Sequence, residues 1–588
     1  MRNILLSVVA FLAGTTLAFA QPVADQTKPN IVVILIDDAA LMDLGVYGGE
    51  AQTPNIDALA ARGVMFTQYR TSPLCSPTRA MLLTGLDNHQ TGVATIPEVL
   101  PPEHKGQAGY TMALEPGVLT LADRLRPAGY RTLMSGKWHL GETEDEMPNS
   151  HGFDRSFALA ASGADNWDDK SYMPYYKDAP WWEDGVEAAL PEDFYSSEFI
   201  VDKMIEYLDG TDQEQPFFAY LPFQAIHIPV QAPAEFITKY DGVYDQGWGA
   251  LQKARFARAQ DLGLISQNAE MADMPSHARA WDALSESDRE LYSAMMEVNA
   301  AMLDAMDFHI GRFVDYLKAK GQYENSIFVI TSDNGPEYNR GDEDLRLKIW
   351  QSMNGYNIDP ERAGQPGSWG FIGPEWAAAA ATPGALYKFY ATEGGLRAPL
   401  IIAGPEIGPA KTDAPAMVSD LTPTLLDWVA APSAPSGSKP MTGRSLLPLL
   451  RGEAESVYGP NDIRAIEVSG NSALYKGEYK ITRSMPPMGD ANWKLFDIVS
   501  DPGETTDLSA VEPERFADLQ AEYAVYAAAN GVLEMPEGYN SAQAVADNAT
   551  ARFYQHNRLA LIILGLVLLG LLYGLWRLAR FIFWRVRT

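Results

Sequence analysis

Short runs of consecutive apolar residues, mostly β-branched or aromatic, punctuate the chain at 31–36, 217–221, 327–331 and 399–403. Runs that are apolar at every position, not alternate ones, are the pattern of strands buried on both faces of a parallel sheet. Between them apolar residues recur at helical spacing, as over 119–125 and 292–318. Strands alternating with helices predict an α/β fold: a large mixed, mostly parallel sheet sandwiched by helices. The pattern changes after Leu450. Gly452 and the cluster Pro460, Asn461, Asp462 mark a boundary, and short strands at 464–468, 479–482 and 493–497 precede a helix rich in Ala and Glu. A smaller C-terminal α+β subdomain over 453–536 is therefore expected beside a main domain over 28–452.

Two further apolar segments lie near the ends. Arg2, an apolar run over 4–17 and Ala18-Phe19-Ala20 have the layout of a signal peptide over 1–20. The second segment, 559–576, carries no charge, and at ~1.5 Å per residue it reaches ~27 Å, close to a hydrocarbon core of ~30 Å. Tyr573, Trp576 and Trp584 stand where interfacial anchors would, and Arg577, Arg580, Arg585 and Arg587 follow. The alternative is a buried core helix; the Gly-, Asn- and Ala-rich stretch at 537–550 favours an anchor on a linker. The expected layout is linker 537–557, transmembrane helix 558–577 and cytoplasmic tail 578–588. The body would be exported, membrane-anchored by a single pass, and periplasmic or extracellular.

A formal net charge of −31 excludes nucleic acid as a partner, because phosphate backbones need a basic face. The chemistry-bearing residues are sparse and local. A lone cysteine, Cys75, has no disulfide partner in an oxidising compartment. Ser76 reads as an N-cap and Pro77 as the first residue of a helix that Gly85 closes, which puts Cys75 beside backbone N–H groups that favour an anion. A buried structural cysteine is the bland alternative. The pairs Asp37-Asp38 and Asp333-Asn334 each close a strand, and open α/β sheets gather ligand sites at such carboxyl ends. Either pair alone would more often be a cap. Together they form an all-oxygen set suited to Ca2+ or Mg2+ and not to zinc. Lys137 and His139, bracketed by Gly136 and Gly141, offer a fixed cation and a titratable base.

These residues stand in a familiar order. Cys75-Ser76-Pro77-Thr78-Arg79 resembles the Cys-x-Pro-x-Arg signature of the type I, formylglycine-dependent sulfatases of the alkaline phosphatase superfamily, with Thr84-Gly85 as its continuation. Gly136-Lys137-Trp138-His139-Leu140-Gly141, then Pro148 with His151-Gly152-Phe153-Asp154, His227 with Pro229, Lys388 before Glu393-Gly394-Gly395-Leu396-Arg397-Ala398-Pro399, and the segment 493–504 are similar to later motifs of that family. The resemblance implies that a formylglycine-generating enzyme converts Cys75 during maturation. It also implies a divalent cation, Ca2+ or alternatively Mg2+, on Asp37, Asp38, Cys75, Asp333 and Asn334. Arg79, Lys137 and Lys388 would hold the sulfate, His227 would protonate the leaving alcohol, and His139 would take the proton that releases a covalent hemi-sulfate. Glu393 and Arg397 are read as braces for their loop. Hydrolysis of sulfate monoesters is the function implied; a phosphonate or phosphodiester hydrolase, or a non-catalytic sulfate-binding homologue, are the alternatives. The aromatic insert 165–182, Trp181 included, is read as a substrate wall favouring small aryl or cyclic esters, with Trp350, Trp369 and Trp376 contributing similarly; an aromatic loop packed on the body is the commoner alternative. His89, His104, His151, His277, His309 and His556 are expected to be surface or packing groups.

Overall fold

A computed structural model describes residues 28–210 and 215–587, so the expected signal peptide lies outside the described residues. A ten-stranded sheet runs in the order Ala410–Thr412, Gly63–Phe66, Leu400–Ala403, Ser326–Ser332, Asn30–Ile36, Phe217–Pro222, Arg131–Lys137, Arg155–Leu159, Trp181–Glu183, Val186–Glu187. The five strands from Ser326–Ser332 to Arg155–Leu159 are mutually parallel. The strand Leu400–Ala403 enters antiparallel to both neighbours, and the far edge closes with antiparallel pairs, which makes the sheet mixed.

The period-two geometry of a strand separates two cores. Ile31, Val33 and Leu35 face one, with Ala80 to Leu83 and Leu121, Leu125, Leu421 and Leu425 from the helices Cys75–Thr84, Leu121–Leu125 and Leu421–Trp428. Val32, Ile34 and Ile36 face the other, with Ile200 and Met204 of the helix Ser196–Asp209 and a full stripe of Glu286–Ala319. That last helix starts where the Ser285 side chain accepts from the Asp288 N–H. The shorter one begins after Thr120, which forms a capping box with Asp123.

The C-terminal segment forms a four-stranded antiparallel sheet, Ile463–Val468, Asn471–Lys476, Tyr479–Arg483 and Trp493–Asp497 in that order, with the helix Pro513–Asn530 on one face. Leu474, Ile481 and Leu495 pack on Leu519 and Tyr523 of that helix. Ile466, Ala473, Tyr475 and Phe496 join the core of the main sheet, so the appendage shares its interior with the main body.

From Ser541 to Arg587 the chain is one helix. The expected linker at 537–557 is thus largely helical, because its Ala-rich sequence has high helix propensity, and it is docked on the body. The Tyr539 hydroxyl donates to the Val99 carbonyl at 2.9 Å, and Asn548 Nδ2 donates to Glu98 O and Leu100 O at 2.9 and 3.1 Å. The part Leu561–Arg585, mean hydropathy 2.2 and with none of its apolar window buried, is long and apolar enough to cross a membrane by length and composition.

Candidate active site

The parallel register pairs Ile36 with Ser332, so Asp37-Asp38 and Asp333-Asn334 leave the sheet side by side. The Asp38 N–H donates to Asp333 Oδ1 at 3.1 Å and the Ala39 N–H to Ser332 Oγ at 2.8 Å, pinning the two strand ends together. Asp38 and His139 both adopt left-handed backbone, with φ of 67° and 55°, a strain that non-glycine residues keep only where the surroundings enforce it. Gly136, next to last in the strand Arg131–Lys137, has φ 136°, and a Cβ there would stand 2.0 Å from the Pro222 carbonyl oxygen. Only glycine lets the strand bearing Lys137 approach its neighbour so closely.

Cys75 is the first residue of its helix, whose N-cap is Leu74, not Ser76. The Ser76 hydroxyl donates instead to the His139 carbonyl at 2.7 Å, tying the helix start to the Gly136–Gly141 loop. Cys75 Sγ lies 3.3 Å from His139 Nδ1. Three fully buried cations surround this point, each on a carboxylate. Lys137 Nζ donates to Asp37 Oδ2 at 2.6 Å, Arg79 Nη2 to Asp333 Oδ2 at 2.7 Å, and Lys388 Nζ lies 2.8 Å from Asp38 Oδ1. His227 completes the ring, its Nε2 3.8 Å from Asp38 Oδ2 and its Nδ1 2.6 Å from the Ile228 carbonyl, with Tyr172 edge-on at 5.1 Å. The structure therefore brings Asp37, Asp38, Cys75, Arg79, Lys137, His139, His227, Asp333, Asn334 and Lys388 to one place.

The acidic residues fit a hard divalent cation. Asp37, Asp38 and Asp333 offer oxygens within 4.8 Å of one another, and Asp37 Oδ1 and Asn334 Oδ1 are buried without a hydrogen-bond donor. Asp38, His227 and Glu337 form a second cluster, but the Lys388 ammonium already binds two of its members, 2.9 Å from Glu337 Oε2. Four carboxylates against three cations leave one excess negative charge; a divalent cation turns this into one positive charge, the complement of a singly charged ester anion. Burial, then Asp333, pushes Asp37 well above the ordinary carboxylate range, and burial carries Asp38 to about 6. Burial also raises Asp333, but Arg79 and Lys137 outweigh it and hold that group low. Burial and then Lys137 push His139 and His227 well below the usual histidine range, leaving both imidazoles neutral. The Cys75 thiol is pushed up to about 12 by burial.

Glu337, two residues beyond Gly335, has no assigned place in the motif reading, yet it is the second partner of Lys388. Glu393 does brace its loop. It accepts from Arg70, Tyr475 and Lys480, its N–H donates to Glu504, and Arg397 donates to the Thr67 and Leu264 carbonyls. Gly335 touches this loop so closely that a Cβ would stand 1.9 Å from the Gly394 carbonyl oxygen.

The expected aromatic wall is corrected by the structure. Trp181 is fully buried on the next-to-last strand of the sheet, stacked on Phe157 at 4.7 Å and 13°, because the insert folds back to extend the sheet. Trp369 and Trp376 are buried too, donating to the Tyr172 and Tyr292 carbonyls, and Trp350 stacks on Tyr356. What the insert gives the site is tyrosine. A cleft of about 530 Å³ has Ser76 and His139 among its lining residues, together with Tyr110, Tyr175, Tyr176 and Arg552. A larger cavity of about 800 Å³, between 476–479 and 511–519, contains none of the site residues. Among the remaining histidines, His277 and His556 are exposed while His104 and His309 are buried. His89 is more than a packing group: it is an ion-paired link to the C-terminal sheet.

Comparison with known proteins agrees with this geometry. The sulfatase family model matches residues 29–431. An uncharacterised sulfatase of Schizosaccharomyces pombe is 36% identical over 541 residues, covering 88% of this chain and 96% of its own. An arylsulfatase of Klebsiella aerogenes is 35% identical over 461 residues, 74% of this chain and 95% of its own. A solved structure described as Ps i-CgsB in complex with k-i-k-neocarrahexaose shares the fold, with a TM-score of 0.61 at 21% identity over 89% of this chain and 97% of that one. A family match over most of the chain, joined to a site built from the family's motif positions, makes this chain a member of the sulfatase family and a sulfuric ester hydrolase.

Proposed function

We propose that the protein hydrolyses sulfate monoesters of aryl or small cyclic alcohols. The observation that carries this reading is the ring of three buried cations, Arg79, Lys137 and Lys388, around Cys75 at the N-terminus of a helix. Together they offer fixed positive charge where the transition state of sulfuryl transfer gathers negative charge. Asp37, Asp38, Asp333 and Asn334 would hold a Ca2+ or Mg2+ ion, whose Lewis acidity adds to that field. Formylglycine at position 75, made from Cys75 by a maturation enzyme, would supply the attacking hydroxyl once water has added to its aldehyde to give the gem-diol. His227 gives its Nδ1–H to the Ile228 carbonyl, so the neutral ring presents a lone pair at Nε2, and this atom would protonate the departing alcohol oxygen only after itself taking up a proton in the site. His139, 3.3 Å from the side chain at 75, is placed to remove the proton that lets sulfate go. Tyrosine faces in the cleft, and a net charge of −31 on the whole chain, favour a small ester over a polysulfated chain.

The apolar helix Leu561–Arg585 would cross a membrane with the Arg-rich end inside, and the body would be exported to the periplasmic or extracellular side. Peptide mass spectrometry at residue 75, run with hydrolysis of nitrophenyl sulfate and nitrophenyl phosphate, tests the catalytic reading. An aldehyde at 75 and faster sulfate release are expected. An intact thiol in fully active protein, or preferred phosphate release, would refute it.

A further inference from the structure

The cleft beside His139 is not lined by the catalytic body alone. Arg552 and Gln555, on the C-terminal helix, belong to its lining with Tyr110, Tyr175 and Tyr176. This stretch of helix is fixed in place. Asn548 holds the carbonyls of Glu98 and Leu100, Arg552 Nη2 lies 3.2 Å from Glu142 Oε2, and its guanidinium stands 4.9 Å from the Tyr175 ring. The same helix then enters the apolar span at Leu561. From Gln555 that is a few residues, or ~9 Å of helix at ~1.5 Å per residue. The headgroup layer on one side of a bilayer is ~5–8 Å deep, from ~40–45 Å in total against a core of ~30 Å. Phe553 and Tyr554, 43% and 59% exposed, lie on the same turn as the cleft-lining Arg552 and Gln555 and are side-chain types that settle at a membrane interface.

We propose that this helix makes one wall of the cleft that reaches Ser76 and His139 and holds the cleft mouth close to the bilayer surface, just beyond the headgroups, so that the preferred substrates are membrane-inserted amphiphilic sulfate esters. The apolar part of such an ester stays in the bilayer while its sulfate reaches past Tyr175 and Tyr176 toward His139. The inference rests on the sulfatase and membrane-crossing readings above, and it names the substrate class they leave open. A water-soluble ester reaches the same cleft without gaining from the membrane, whereas each CH2 of a tail strengthens partitioning into the bilayer.

The test uses the full-length protein in phosphatidylcholine vesicles with two probes, 4-nitrophenyl sulfate in the water and 4-dodecylphenyl sulfate in the vesicles. Sulfate release from the second is expected to show a kcat/KM higher by about tenfold or more, because the fixed helix presents the cleft mouth to an ester seated in the same membrane; a gain from sharing the membrane alone would survive any loosening of that link. A flexible Gly-Ser segment inserted between Arg558 and Leu559 leaves the whole chain present and uncouples cleft from span. It is expected to abolish that preference while nitrophenyl sulfate is turned over as before. Equal use of both probes by the uninserted protein, or a preference that survives the insertion, overturns the amphiphile inference alone. Failure to hydrolyse either probe, with residue 75 in the aldehyde form, overturns the sulfatase reading and the inference with it.

Discussion

Replacing His89 by Gln is expected to remove a pH-dependent part of the protein's stability. The His89 side chain is fully buried, its Nδ1 3.1 Å from Asp87 Oδ1 and its Nε2 2.7 Å from Glu467 Oε2. Glu467 sits on the first strand of the C-terminal sheet, so the imidazolium joins that sheet to the loop after the Cys75 helix. Tyr110 faces its ring at 5.8 Å, and the Tyr526 hydroxyl donates to Asp87 Oδ2 at 2.7 Å. Burial alone would lower the histidine's pKa, but hydrogen bonds and charge from Asp87 and Glu467 outweigh it and raise it from 6.5 to about 9. A shift of that size, at ~1.4 kcal/mol per pKa unit, is about 3 kcal/mol of preference for the charged form in the folded protein. The folded value lies above the unfolded one. The contribution is therefore complete below about pH 6.5 and is lost as the pH rises through about 9. Urea unfolding of full-length protein in detergent, wild type against His89→Gln, at about pH 6 and about pH 9.5, measures it. The wild-type advantage is expected to shrink by about 3 kcal/mol between the two pH values. A gap of the same size at both would refute the reasoning.

Asp333→Ala removes a carboxylate from the cation site and the partner of Arg79, and should lose bound divalent metal, by elemental analysis, together with nitrophenyl sulfate turnover. Trp181→Ala should destabilise the fold by ~3–5 kcal/mol, read by chemical denaturation, while the folded fraction keeps its KM, because the indole is core and not cleft. A chain ended after Arg558 should be soluble without detergent and keep its KM for nitrophenyl sulfate. One ended at Gly538 should show a raised KM and a lower melting temperature, since it lacks Arg552, Gln555 and the Asn548 contacts. Equal KM values for the two truncated chains would show that the helix does not shape the cleft.

How much of this was written plainly in the sequence depends on the element. The strands at 31–36 and 327–331 were legible because every position is apolar, as a strand covered on both faces requires. Arg131–Lys137 was not, since Arg131, Thr132, Ser135, Gly136 and Lys137 hide a buried strand behind polar and small residues, of which Lys137 serves the site. Asn471–Lys476 opens on Asn-Ser and was missed for the same reason. The antiparallel entry of Leu400–Ala403 follows from chain connectivity, which a local pattern does not carry. In the site, the motif residues converge as their order suggested, whereas the partners that orient them do not announce themselves. Glu337 and Ser76 matter through one contact each, to Lys388 and to the His139 carbonyl. The only available signal for Glu337 was an acid two residues after Gly335. Trp181 was misread because aromatic content says nothing about which face of an insert turns inward.

The burial of Cys75 sets an order of events in the life of the molecule. Only 1% of the residue's surface is accessible, and Leu74 and Ser76 on either side are buried as well. A modifying enzyme must take hold of several residues of backbone around its target, and in the folded protein that stretch is beyond reach. Under the proposed formylglycine chemistry, conversion of Cys75 would belong to the interval before the fold closes. That interval is long for a residue so near the N-terminal end, because the loop facing it is clamped through Glu393 by Tyr475, Lys480 and Glu504, which leave the ribosome hundreds of residues later. On that chemistry, a chain that folded before it was oxidised would keep its thiol, the active fraction of a preparation would be decided by a race between folding and oxidation, and later incubation with the modifying enzyme would not change it.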